Sequence, residues 1–132
     1  MTYRFPIRVY WEDTDAGGIV FYPNYLKFFE RARTEWLRSL GVMQGRLRES
    51  AGGMFVVTET SVRYLSPARL DDELIVTARL EAGGRASLII AQRALDAAGA
   101  TLCEGTIRIG WVDAATFKPG RIPTVILETL NP

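Results

Sequence analysis

The sequence predicts an α+β domain in which an antiparallel sheet curves around one long helix. The element order supports this: one strand, one long helix, then four strands joined by short turns. The helix is apolar around most of its circumference, so it needs a sheet wrapped about it. With 132 residues the chain is long enough to bury a core of its own, and we expect a single domain over residues 1–132.

Residues 23–40 have the clearest helical pattern. Pro23 suits the first helical position, where a missing N–H is harmless, and Gly41 ends the pattern. Apolar residues recur every three or four positions at Tyr25, Phe29, Ala32, Trp36 and Leu40. The stripe is widened by Leu26, Phe28 and Leu37. Arg31 and Glu35 are spaced to pair on the polar side.

Five stretches alternate or are rich in β-formers, and these predict the strands. They are residues 3–11, 54–65, 73–82, 86–97 and 101–114. Pro6 indicates that the first strand lies at a sheet edge. Residues 43–50 predict a short helical turn, and the tail 123–130 fits either a helix or a strand.

Composition excludes several function classes. The formal net charge is +1, which gives no reason to expect nucleic-acid binding. The chain has no histidine, so Ser-His-Asp and Cys-His chemistry are excluded, and a zinc site is not expected. A single cysteine, Cys103, permits no internal disulfide. No apolar run reaches the length of a membrane span or a signal peptide core, so we expect a cytoplasmic protein.

The stretch "EDTDAGGIVFYPNY" places Glu12, Asp13 and Asp15 just before the helix. One structural interpretation is capping, because a helix N-terminus attracts acidic side chains. A functional interpretation is that a carboxylate attacks an activated acyl carbon, or activates a water, while helix-end amides polarise the carbonyl oxygen. Gly17 and Gly18 would let a substrate approach the backbone. From the spacing alone, the structural interpretation is favoured over the functional one.

The longer segment "EDTDAGGIVFYPNYLKFFERARTEWL" resembles the hotdog-fold acyl-CoA thioesterases, in the 4-hydroxybenzoyl-CoA thioesterase group and its YbgC-like branch. The later "TSVRYLSPARLDDEL" is also similar to that family, and the resemblance runs from about Tyr3 to Val112. It implies a hotdog fold and an acyl-CoA substrate. It also implies no metal and no cofactor beyond the coenzyme A of the substrate, and a homodimer or homotetramer.

The resemblance assigns roles to residues of the acidic loop. Asp15 takes the place of the catalytic carboxylate, and Asp13 a supporting loop position. The backbone amide of Tyr22 takes the place of the group that polarises the thioester carbonyl. The YbgC-like branch usually has histidine at the position of Tyr22, so histidine-assisted chemistry is not available here.

Basic residues are expected near the phosphates of coenzyme A. The resemblance favours Arg85, in a Gly-Gly-Arg turn, with Arg63 as a weaker candidate. Arg85 is equally explained as an exposed turn residue. Asp71 and Asp72 are better explained by turn capping, and Cys103 by burial as a structural thiol.

The sequence is also compatible with two non-catalytic functions. A hotdog protein could bind acyl-CoA or acyl carrier protein without hydrolysis, or act as an accessory of an envelope complex. A hotdog dehydratase is disfavoured because those families use a catalytic histidine. The sequence leaves two routes for Asp15, nucleophilic attack and general-base activation of water.

Overall fold

The computed structural model describes residues 1–130 and confirms the predicted α+β class. The strands are β1 (Tyr3–Arg8), β2 (Gly53–Tyr64), β3 (Glu73–Gly83), β4 (Ser87–Leu95) and β5 (Thr101–Asp113). The helices are α1 (Asn24–Ser39), α2 (Gln44–Ser50) and α3 (Thr124–Leu130).

The five strands form one antiparallel sheet in the order β1-β3-β4-β5-β2. α1 lies across one face and packs mainly on β3, β1 and β4. We call this the inner face. The sheet edges are β1 and β2, which confirms the edge position that Pro6 predicts for the first strand.

The core lies between α1 and the inner face. Phe28 and Phe29 are fully buried against apolar strand residues such as Leu74, Val76 and Ile90. Burial of each such side chain contributes about 1.5–3 kcal/mol. None of the helices within residues 1–130 is long and apolar enough to cross a membrane.

The first strand ends earlier than the sequence predicts, at Arg8 rather than residue 11. Residues Trp11–Asp13 instead form one turn of 3-10 helix. The Asp13 carboxylate accepts the Tyr10 N–H at 2.8 Å, and the Asp13 N–H donates to the Tyr10 carbonyl at 3.0 Å. This local side-chain bond offers the backbone an alternative to the strand ladder.

The helix prediction is right in extent but wrong on two members of its apolar stripe. Leu26 is 40% exposed, and Leu40 lies beyond the helix end at 37% exposed. The sheet covers α1 from one side only, so the stripe is narrower than expected. Glu35 pairs with Arg38 rather than with Arg31. The tail, which the sequence left undecided, is helical at residues 124–130.

Candidate active site

The acidic loop folds as a narrow hairpin, residues 13–21, which we call the acid hairpin. The Phe21 N–H donates to the Asp13 carbonyl at 2.9 Å, and the Asp15 N–H donates to the Ile19 carbonyl at 3.0 Å. The hairpin is tied to the segment after β2, because the Val20 N–H donates to the Ala68 carbonyl at 2.9 Å. It is therefore fixed on both sides before it reaches α1.

Asp15 lies at the exposed tip of the acid hairpin. Its Oδ1 accepts the Gly17 N–H at 2.8 Å, and its carbonyl accepts the Gly18 N–H at 3.0 Å. Gly18 has φ of +75°, which favours glycine. A Cβ at Gly17 would lie only 3.1 Å from the Asp15 Oδ1. Both glycines are thus explained by the turn that orients the Asp15 carboxylate.

Asp13 is directed into the protein rather than toward solvent. Its side chain is buried and binds the Tyr10 N–H, while its carbonyl accepts Asn24 Nδ2 at 2.9 Å. The three crowded acids are therefore separated by environment. Asp13 holds the acid hairpin to the start of α1, and Glu12 and Asp15 remain in water.

The Tyr22 amide lies between the acid hairpin and α1. The Asn24 N–H closes the first turn by donating to the Phe21 carbonyl at 2.8 Å, and Pro23 has no N–H. Within the part of the chain that the structure describes, the Tyr22 N–H donates to no protein acceptor. A donor of this kind at a helix start is suited to bind a developing oxyanion.

Aromatic rings connect this amide to the core. The Tyr22 ring contacts Phe21 and Tyr64, with centroids 5.4 and 5.8 Å apart, and Tyr64 contacts Tyr25 at 5.8 Å. The Tyr25 hydroxyl accepts the Ala68 N–H at 3.1 Å. Burial raises the pKa of Tyr25, and the hydrogen bond from the Ala68 N–H lowers it by less. The net pKa is raised, so the phenol stays neutral near pH 7.

The sequence analysis assigned no role in the site to two residues of this region, Asn24 and Tyr64. Asn24 stood in the quoted Pro-Asn-Tyr motif, and its place at a helix start was a usable signal because asparagine favours such positions. Tyr64 sits at the end of β2 and carried no local signal. Only the tertiary structure brings the end of β2 next to Tyr22.

The two arginines expected near coenzyme A lie elsewhere in the single chain. Arg63 is on the outer face of the sheet, where Nη1 meets Glu104 Oε1 at 3.4 Å. Arg85 lies in the turn after β3, whereas the acid hairpin adjoins the start of that strand. Ten residue steps of β3 separate the two ends, about 33 Å when extended. Their roles in substrate binding stay predictions.

Other chemistry-bearing groups do not gather at this site. Among residues 1–130, no three acidic or thiol side chains come close enough together to hold a metal ion. Cys103 is fully buried, and burial raises the pKa of its thiol to about 12. The thiol is therefore protonated near neutral pH, as expected for a structural cysteine.

Comparison with known proteins decides the family. The model of the thioesterase-like superfamily matches residues 9–130. The chain belongs to this family. It is 40% identical over 125 residues to the acyl-CoA thioester hydrolase YbgC of Escherichia coli, covering 95% of this chain and 92% of that one. It is 40% identical over 121 residues to the acyl-CoA thioesterase YbgC of Haemophilus influenzae, covering 92% and 88%.

Solved structures of this family share the fold. A probable thioesterase from Bartonella henselae superposes with a TM-score of 0.89 at 31% identity, covering 93% of this chain and all of that one. These matches confirm the predicted hotdog fold, the YbgC-like resemblance and the assignment of a thioester hydrolase.

Proposed function

We propose that the protein hydrolyses acyl-CoA thioesters, with Asp15 as the catalytic carboxylate and the Tyr22 N–H as oxyanion donor. The observation that carries the proposal is the acid hairpin itself. It presents an exposed, oriented carboxylate at its tip and leads directly into the unused helix-start amide of Tyr22. The names of the relatives support the choice of acyl-CoA as substrate.

In this mechanism the thioester carbonyl oxygen accepts the Tyr22 N–H. Negative charge grows on that oxygen as the carbonyl carbon becomes tetrahedral, so the amide stabilises the transition state more than the ground state. Collapse of the intermediate releases the coenzyme A thiolate. The bond from Asn24 Nδ2 to the Asp13 carbonyl ties the hairpin to the start of the helix and so holds the carboxylate and the amide in a fixed relation.

Two routes for Asp15 follow from the exposed carboxylate. It can attack the carbonyl carbon and form a mixed anhydride, which water then cleaves. It can also take a proton from water as that water attacks. A single turnover in ¹⁸O-labelled water identifies the anhydride route if label is found in Asp15. General-base attack puts the label in the product acid, whereas water attack at the Asp15 carbonyl of an anhydride leaves it in the protein.

The test of the proposed function is hydrolysis of a panel of short, medium, long and aromatic acyl-CoAs. We expect Asp15→Asn to lower kcat/KM by about 10²–10⁴-fold. The matched control is Glu12→Gln, which removes an exposed charge from the same loop and should retain activity. Equal activity of Asp15→Asn and the wild type would contradict the carboxylate assignment. If the wild type cleaves no CoA ester, acyl carrier protein thioesters and non-catalytic binding become the functions to test.

The same proposal includes a homodimer formed through β2, which can pair further into a tetramer. β2 is a long edge strand of 12 residues and is hydrogen-bonded only to β5 within residues 1–130. Such an edge invites pairing with another strand. Joining two copies there would bring Tyr64 of one chain beside the sheet edge of the other. Light scattering at micromolar concentration should give twice or four times the mass of one chain, and a monomer would refute this part.

A further inference from the structure

The Tyr25 hydroxyl lies where three segments of the candidate active site meet. Tyr25 is the second residue of α1 and is 3% exposed. Its Oη accepts the Ala68 N–H at 3.1 Å. Ala68 is fully buried, and its carbonyl accepts the Val20 N–H of the acid hairpin at 2.9 Å. Ala68 is therefore bonded to the helix through its N–H and to the hairpin through its carbonyl.

This middle segment, residues 66–70, supports the acid hairpin and is itself fixed to the sheet. The Leu70 N–H donates to the Gly18 carbonyl of the hairpin at 3.2 Å. At the other end of the segment, the Ser66 N–H donates to the Leu102 carbonyl of β5 at 3.1 Å. The segment thus meets both the hairpin and the sheet through backbone bonds. Among residues 1–130, its one hydrogen bond to α1 is the bond to the tyrosine hydroxyl.

The start of α1 sets the direction of the Tyr22 N–H. This N–H shares a peptide group with the Phe21 carbonyl, which accepts the Asn24 N–H at 2.8 Å. Because a trans peptide group is planar, its N–H points opposite to its carbonyl and therefore away from the first turn of the helix. The Tyr22 carbonyl accepts the Tyr25 N–H at 3.4 Å. A movement of the helix start would therefore turn the Tyr22 N–H with it.

The acid hairpin and α1 are joined at two places. At the first, the chain runs directly from hairpin to helix, and Asn24 Nδ2 donates to the Asp13 carbonyl at 2.9 Å. At the second, the connection passes from Val20 through Ala68 to the Tyr25 hydroxyl. A single attachment would leave the hairpin able to pivot on the helix start, whereas two attachments fix the angle between them.

We propose that Tyr25 is a positioning residue for thioester hydrolysis. Acting through Ala68, its hydroxyl fixes the angle between the acid hairpin, which carries Asp15, and the helix start, where the Tyr22 N–H lies. The amide acts on the oxygen of the thioester carbonyl, and the carboxylate acts at its carbon or on the attacking water. A shift of one group relative to the other therefore misplaces one of these contacts. The inference rests on the proposed function, because it concerns how the two groups are aligned.

The variant Tyr25→Phe tests the proposal because it removes the hydroxyl and keeps the ring. The Ala68 N–H is then buried without an acceptor, which favours a shift of the 66–70 segment away from α1. On the acyl-CoA that the wild type cleaves fastest, we expect kcat to fall about tenfold while KM changes by less than about twofold, since alignment matters most in the transition state. A purely structural role would lower the urea midpoint and leave the kcat of the folded enzyme unchanged.

The matched control is Thr77→Val. Thr77 is 6% exposed, and its Oγ1 accepts the Arg93 N–H at 3.1 Å, so this change also removes a buried hydroxyl that accepts a backbone N–H. On β3 it alternates with Val76 and Ala78 of the inner face, which places it on the side of the sheet opposite α1. We expect a lower urea midpoint and an unchanged kcat. Full kcat in Tyr25→Phe, or an equal loss of kcat in both variants, would refute the positioning role.

Amide hydrogen exchange tests the same contact without turnover. In Tyr25→Phe the N–H groups of Ala68, Val20 and Leu70 should exchange at least about tenfold faster than in the wild type, because the segment has lost its bond to α1. The same three rates should stay within about twofold in Thr77→Val. Unchanged exchange in Tyr25→Phe would overturn the inference even if the wild type is an active hydrolase.

The two proposals can fail separately. A wild type that cleaves no thioester would overturn the proposed function, and the role of Tyr25 in hydrolysis with it, whereas the exchange rates would still show whether the hydroxyl holds the hairpin. If Tyr25→Phe does not fold, the wild type alone decides the contact. Its Ala68 N–H should be strongly protected from exchange, and a protection factor near about one would refute the bond to the hydroxyl.

Discussion

Gln92 joins α1 to the sheet inside the core, and its replacement by methionine gives a quantitative test of the fold. The residue is 1% exposed on the inner face of β4. Its Nε2 donates to the carbonyls of Phe29 at 2.9 Å and Thr77 at 3.2 Å, and its Oε1 accepts Arg33 Nη1 at 2.9 Å. Methionine has a similar length but makes none of these three bonds.

The expected cost of Gln92→Met is about 3 kcal/mol of unfolding free energy. The charge-assisted bond to Arg33 accounts for about 1.5–3 kcal/mol, and the two neutral bonds for about 0.5–1.5 kcal/mol each. Burial of the apolar methionine side chain offsets about 1.5 kcal/mol or more of that sum. The loss is large because Arg33 keeps its charge in a buried position after its acceptor has gone.

Urea unfolding followed by circular dichroism measures this cost. With a slope near 2 kcal/mol per M, the midpoint should fall by about 1.5 M. Protein concentration must be held fixed, because a dimer ties stability to concentration. Gln44→Met serves as the control. Gln44 is half-buried with one 3.4 Å side-chain contact, so we expect less than about 1 kcal/mol.

A double-mutant cycle with Arg33→Met isolates the buried pair. The double variant should be less destabilised than the sum of the single variants by about 1.5–3 kcal/mol, because each single change leaves a buried polar group without its partner. A coupling energy within about 0.5 kcal/mol of zero would refute the Arg33–Gln92 contact and the reasoning built on it.

Further predictions address the site and the core. Gly17→Ala should lower kcat/KM by about fourfold with little loss of stability. The Cβ of the alanine would force the Asp15 carboxylate to move by a few tenths of an ångström. Unchanged activity of this variant would contradict the prediction. Gly105→Ala should lower the unfolding free energy by about 1–3 kcal/mol, since its Cβ would lie 2.7 Å from a β2 carbonyl, and an unshifted urea midpoint would count against it. Cys103 should react with a thiol reagent at pH 8 only as fast as the protein opens, so rapid stoichiometric labelling of native protein would disprove its burial. Hydrogen bonds from Thr116 and Ala115 lower the pKa of Asp113. The stability that this carboxylate adds is therefore present above about pH 4 and is lost as the pH falls through the lowered pKa. Asp113→Ala should remove this pH-dependent part of the unfolding free energy, which unfolding curves between about pH 7 and pH 3 would measure.

Much of the fold could be predicted because it follows from local periodicity. The period-2 stretches and the single long apolar helix specified the element order, and the ends of β2 and β3 came within one residue of their predicted positions. Among the wrong predictions, one failed because of a local hydrogen bond and one because of tertiary packing. The first strand stopped early because the Asp13 side chain competes for the backbone, and Leu26 was misassigned because a sheet covers only one side of α1.

The sequence by itself determined the acid hairpin as a candidate site, because the residues that build it are neighbours in the chain. Asp15, Gly17, Gly18 and the Tyr22 amide lie within eight positions, and the turn is closed by bonds from the Gly17 and Gly18 N–H groups to Asp15. Only the tertiary structure decided what surrounds them. It placed Tyr64 beside Tyr22, sent Arg63 and Arg85 to other surfaces, and buried Arg33 at Gln92 across 59 positions. Contacts between residues so far apart depend on strand order and register, which periodicity in one segment does not encode.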